Sequence, residues 1–140
     1  MLSILMPVYN ERDRVEQAIA QVLETELPTD FELVLVDDGS TDGTREILRT
    51  GEWNSRVRLF EHPENRGKGA AVQTALGQAR GEYAAIFDAD LEYDPKDLAV
   101  LMPPLLDGRT NACFGVRAFD GYTSHSFLYV LGNKGVTLAC

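Results

Sequence analysis

Short apolar runs alternate along this chain with segments whose apolar residues recur every three or four positions. The runs at 2–6, 31–36, 57–60, 83–87 and 112–116 are each four to six residues long and mostly lack polar alternation. That is the pattern of strands covered on both faces. Between them, Val15, Ala18, Ile19, Val22 and Leu23 form one helical stripe, and Val72, Ala75, Leu76 and Ala79 form another. A third helix is predicted to start with Asp94 as N-cap and Pro95 at its first position, followed by Leu98, Leu101 and Met102. Pro103-Pro104 should break or kink it. Strand and helix in regular alternation imply right-handed crossovers. The expected fold class is α/β: a doubly wound, mostly parallel sheet with helices on both faces. Residues 127–140 carry a single charge, Lys134, and end within an apolar pattern. They read as an interfacial helix or as part of a chain truncated at this point, with truncation the favoured reading.

Composition narrows the function. A chain of 140 residues is the size of one domain. Its 44% hydrophobic and 25% charged content is that of a folded globular protein. A net charge of −9 argues against nucleic acid as a partner, because phosphates need a basic surface. Cys113 and Cys140 offer neither a disulfide framework nor paired metal-ligand spacing, which fits a reducing cytoplasm. The N-terminus lacks a basic leader region, and no apolar stretch approaches the ~18 residues of a membrane span, so the expected location is cytoplasmic.

The acidic strand ends carry the chemistry. Asp88-Ala89-Asp90 follows the fourth predicted strand, and Asp37-Asp38 ends the second. Open α/β sheets bind ligands at the carboxyl ends of their strands. Residues 88, 90 and 92 alternate, so in extended backbone the carboxylates of Asp88, Asp90 and Glu92 would project alike. Mg²⁺ and Mn²⁺ prefer such oxygen ligands, commonly one or two carboxylates completed by substrate phosphate. The plainer reading makes Asp88 or Asp90 a turn cap and leaves Glu92 solvated. Adjacent carboxylates at 37 and 38 repel unless donors or a cation offset them. The donor groups of a nucleoside would serve.

Three further segments face the same edge. Pro7-Val8-Tyr9-Asn10-Glu11 replaces the glycine-rich turn of a dinucleotide fold; here Tyr9 could meet a planar base, Asn10 could cap the helix, and Glu11 would suit its first turn. Asn65-Arg66-Gly67-Lys68-Gly69 has cations and a following helix but not the P-loop spacing; Lys68 either attracts a diphosphate or is a solvated turn residue. Arg117 ends the fifth strand, where its planar fork could hold phosphate. His125 precedes the final apolar segment and carries little functional signal.

With these residues assembled, the chain resembles family 2 glycosyltransferases of the GT-A fold, most of all the dolichyl- and polyprenyl-phosphate mannosyltransferases and related glucosyltransferases. The matching segments are Pro7-Val8-Tyr9-Asn10-Glu11, the stretch 36–44, the stretch from His62 to Ala71, and the stretch from Asp88 to Pro95. The resemblance implies that Pro7, Tyr9, Glu11 and Asp37 contact the nucleoside, that Asp88 and Asp90 hold metal and diphosphate, and that Arg117 contacts phosphate. Glu92 stands where the family commonly has glutamine. The basic residue expected after Arg117 has only His125 and Lys134 as candidates.

The expected function is therefore inverting transfer of a hexose from a nucleotide diphosphate sugar, of GDP-mannose or UDP-glucose type, to a polyprenyl or dolichyl phosphate. The expected cofactor is Mg²⁺ or Mn²⁺, and the expected workplace is the cytoplasmic face of a membrane. Family chains run longer, so residues 1–140 are expected to encode the donor part and to lack most of the acceptor part. A receiver-type signalling domain would carry its acidic pair after the first strand and its phosphoacceptor after the third, which disfavours it. A nucleotidyltransferase should show a glycine-rich first turn. A sugar-nucleotide-binding fragment without activity is the remaining alternative.

Overall fold

The protein is described here by a computed structural model covering residues 1–116 and the backbone of 127–132. Arg117, His125 and Lys134 lie outside the described residues. The elements in chain order are β1 (Leu2–Val8), α1 (Val15–Glu24), β2 (Phe31–Asp38), α2 (Thr44–Thr50), β3 (Val57–His62) and α3 (Lys68–Gln78). They continue as β4 (Tyr83–Ile86), α4 (Lys96–Leu101), α5 (Pro103–Leu106), β5 (Ala112–Val116) and β6 (Phe127–Gly132).

One six-stranded sheet has the order β3-β2-β1-β4-β6-β5. β1 pairs in parallel with β2 and β4, and β2 with β3. β6 is antiparallel to both β4 and β5, so it alone opposes the other strands. The first part of the apolar segment at 127–140 is thus a strand and not an interfacial helix, the less favoured of the two sequence readings. Its six residues fill the gap between β4 and β5, where backbone groups on both sides would otherwise lack partners.

The apolar runs become the buried strands, and β2 is buried at every position. Residues of both parities on β1 and β2 enter packed cores, which is why those strands show no polar alternation. On one face, Ile4, Met6, Leu33 and Leu35 pack with Val15, Ile19 and Val22 of α1, Leu48 of α2, Leu98 of α4 and Leu105 of α5. On the other face, α3 covers Leu5, Val34 and Val36 with Ala71 and Ala75. Helices therefore lie on both faces, with the small side chains of α3 placed against the sheet. The buried stripe of α3 is rotated from the predicted one, since Ala71 and not Val72 is fully buried.

Helix boundaries follow local chemistry. The Asp94 Oδ1 accepts the Lys96 amide at 2.9 Å, and Pro95 already has helical φ, as expected of a cap and a first-turn proline. Pro103-Pro104 ends α4 as expected and forms the first turn of the short α5, with Met102 between the two helices. Asn10 behaves differently from expectation: with φ of 52° it leaves the helix uncapped and bonds instead to the Ser40 and Thr41 turn. Among the described residues, no helix is long and apolar enough to cross a membrane.

Candidate functional site

Strand order changes direction between β1 and β4, because α1 carries the chain from β1 to β2 whereas α3 returns it across the opposite face to β4. The loops leaving β1 and β4 diverge there and open a crevice at the carboxyl edge. A cleft of about 270 Å³ occupies this position, lined by residues of both loops, by Asp38 of β2 and by the start of α3.

Of the sequence candidates, the structure brings Pro7, Tyr9, Glu11, Asp38, Lys68, Asp88 and Asp90 to this one cleft. Tyr9 is 44% exposed at the rim, so its ring is available to a ligand. Asn65 also lines the cleft, although the sequence reading gave it no role. Its signal was the turn sequence before α3, which seats it beside Lys68.

Asp37 and Asp38 belong to β2 itself, since the strand runs two residues beyond its apolar part. Strand alternation sends them to opposite faces. Asp37 is fully buried and does not line the cleft; Arg45 Nε donates to its Oδ2 at 2.6 Å and the Ser40 amide to its Oδ1 at 3.2 Å. Arg45 also donates to the His62 carbonyl at 2.5 Å. The two adjacent charges are thus offset by separate internal partners.

Asp38 faces α3. Its carboxylate lies 2.6 Å from His62 Nδ1 and accepts the amides of Arg66 at 3.0 Å and Gly67 at 2.8 Å. The opposite ring nitrogen of His62 meets Thr74 Oγ1 at 2.9 Å. Burial alone would raise the Asp38 carboxyl; the Arg66 amide, His62 and the Gly67 amide together hold it below the ordinary aspartate range. Its oxygens fix the loop ahead of α3. Sequence reasoning missed His62 and Arg45, although His62 is paired in register with Asp38 across β2 and β3.

Loop crossings complete the rim. Asp42 accepts the Arg12 amide, while its other oxygen takes both the amide and the hydroxyl of Thr44 at the start of α2. Gly39 has φ of 75°, and a Cβ there would come within 2.4 Å of the Asn65 backbone. Only glycine lets these two loops touch.

Asp88 and Asp90 are half-buried at the end of β4. Lys68 Nζ donates to Asp88 Oδ2 at 2.6 Å across the cleft. Asp90 Oδ1 accepts the Glu92 amide at 3.0 Å, and Leu91 adopts φ of 64°. This turn corrects the expectation of an extended 88-90-92 segment. Glu92 is carried out of the cleft to a separate groove with Gln21, Glu24 and Asp94. Among the described residues, no three His, Cys, Asp or Glu side chains converge to hold an ion unaided. Two carboxylates at one cleft nevertheless suit Mg²⁺ or Mn²⁺, whose remaining positions are filled by water and phosphate oxygens. The donor set present fits such an ion.

Residues 3–132 match the model of the family described as glycosyl transferase family 2. The chain is 37% identical over 108 residues to a dodecaprenyl-phosphate galacturonate synthase of Rhizobium johnstonii, an overlap of 74% of this chain and 32% of that protein. It is 31% identical over 106 residues to a dolichyl-phosphate beta-glucosyltransferase of Dictyostelium discoideum, covering 69% of this chain and 32% of the relative. The mannosyltransferase PcManGT of Pyrobaculum calidifontis, solved with GDP-Man and Mn²⁺, superposes with a TM-score of 0.80 at 29% identity, over 95% of this chain and 44% of that one. The chain thus spans about a third of the length of these two curated relatives.

Proposed function

Because the chain belongs to glycosyl transferase family 2, we propose that it forms the donor-binding part of an inverting hexosyltransferase acting on a nucleotide diphosphate sugar. One observation carries this reading: Asp88 and Asp90 share the switch-point cleft with Pro7, Tyr9 and Glu11. Base-binding and diphosphate-binding chemistry then lie side by side. Tyr9 offers an exposed ring for a planar base at one end. At the other end, Lys68 and the N-terminus of α3 favour the diphosphate.

Asp88 and Asp90 are the residues that would hold a divalent ion. When bound, that ion supplies Lewis-acid stabilisation of the charge that builds on the departing nucleoside diphosphate. Arg45 with Asp37 ties α2 to β2, His62 with Asp38 ties β3 to β2, and the Asp38 bonds to the Arg66 and Gly67 amides hold the loop before α3 in place. Arg117 is a further phosphate ligand in this proposal. The lipid-phosphate relatives favour a polyprenyl or dolichyl phosphate acceptor, met at the cytoplasmic face of a membrane. Such an acceptor oxygen is ionised at pH 7, so transfer to it needs no strong general base.

Calorimetric titration with GDP, UDP and their hexose derivatives, with and without Mn²⁺, tests the reading. Binding of one nucleoside diphosphate should strengthen with Mn²⁺. Asp88→Ala and Asp90→Ala should each weaken it by at least about tenfold, the scale on which even groups that only support metal ligands act. Binding indifferent to both the metal and the two substitutions would overturn it.

A further inference from the structure

We infer that Lys68 is the internal counter-ion of the cation site, occupying Asp88 when the cleft holds no metal and passing to the diphosphate when metal enters. The inference rests on the donor-binding reading above and deepens it. Asp88, Asp90, Glu11 and Asp38 all line the cleft, and among the described residues Lys68 is the one cationic side chain lining it. Asp38 is hydrogen-bonded from within by His62 and two amides, and Glu11 is 3.3 Å from Arg14. Among the described residues, Lys68 is the cation paired with the Asp88–Asp90 pair, through the 2.6 Å contact to Asp88.

The lysine is placed for this task by its backbone. Asp38 holds the Arg66 and Gly67 amides, so the first residue of α3 is fixed while its four-carbon stem remains free to swing. A divalent ion at Asp88 competes with the ammonium for the same carboxylate, whose Oδ2 the ammonium now holds, and repels it once bound. The released Nζ stays at the α3 N-terminus, where a diphosphate would lie. Metal and nucleoside diphosphate should therefore each favour the other's binding, and by linkage to an equal extent. Side-chain exposures of 61% for Lys68 and 24% for Asp88 make the pair a weak one, which suits a group meant to be displaced.

Free Mn²⁺ measured by electron paramagnetic resonance during titration of the wild-type protein, Lys68→Met and Lys68→Arg tests this directly. Without nucleotide, Lys68→Met should bind Mn²⁺ about three- to fivefold more tightly than wild type, the factor expected for losing an exposed ion pair. Saturating GDP or UDP should then raise the Mn²⁺ affinity of wild type by a larger factor than that of Lys68→Met. Lys68→Arg, which keeps the charge, should follow wild type. Equal Mn²⁺ affinity in wild type and Lys68→Met, with Asp88→Asn abolishing binding, would overturn the counter-ion inference while leaving the metal site standing. Absence of Mn²⁺ binding in every protein, with or without nucleotide, would overturn both.

Discussion

Asp37 and Asp38 are neighbours in sequence yet work on opposite faces of β2. Asp37 anchors Arg45 of α2, whereas Asp38 anchors His62 and the loop before α3. The sequence located both at the cleft edge, but it could not show that their donors are internal, because His62 reaches Asp38 through strand register and Arg45 reaches Asp37 through the packing of α2 on the sheet. The depressed Asp38 carboxyl has a consequence for acid stability. Its folded-state pKa lies below the unfolded one, so its stabilisation is complete above the ordinary aspartate value of about 3.9 and is lost as pH falls through the lower folded value. Asp38→Asn should lower stability at pH 7 by about 2 kcal/mol, since hydrogen bonds to a charged group are lost. It should also remove part of the decline below about pH 4. Urea midpoints of both proteins at pH 7, 4 and 3 check this; parallel losses across the range would contradict it.

At the scale of elements, the predicted strands and most helix faces match those observed, because periodicity and turn residues speak locally. The Asp94 cap was legible for that reason, and Asp94→Ala should destabilise by about 1 kcal/mol in thermal unfolding. The loop crossings were not legible. Asn10 reaches the Ser40 turn and Gly39 packs on the Asn65 backbone, contacts between segments about thirty residues apart or somewhat fewer. Comparing two glycines separates the effects involved. Gly67 has φ of 89° and ψ of 154°, a region used essentially only by glycine, with open space beside it, so Gly67→Ala should cost about 1–3 kcal/mol from backbone conformation alone. Gly39→Ala should cost clearly more, because its Cβ meets backbone that cannot rotate away. Equal urea midpoints for the two variants would contradict this packing.

For the whole molecule, the doubly wound order and the edge that carries the site were readable from alternating runs and acidic strand ends. The observed strand order and the likeness to PcManGT bear out the fold, and the cleft holding Asp88 and Asp90 lies at the expected edge. The antiparallel β6 was not readable, since a six-residue apolar run looks alike as strand or helix and only β4 and β5 supply its pairing. Glu92 was misplaced by assuming extended backbone where Asp90 and Leu91 make a turn. That turn sets two acidic grooves close in sequence, one with Asp88 and Asp90 and the other with Glu92 and Asp94. Paramagnetic broadening of amide resonances by Mn²⁺ with GDP or UDP distinguishes them most directly. The account predicts the earliest losses at residues 88–90 and 67–69; losses centred on 24–26 and 92–97 would place the ion in the other groove and contradict it.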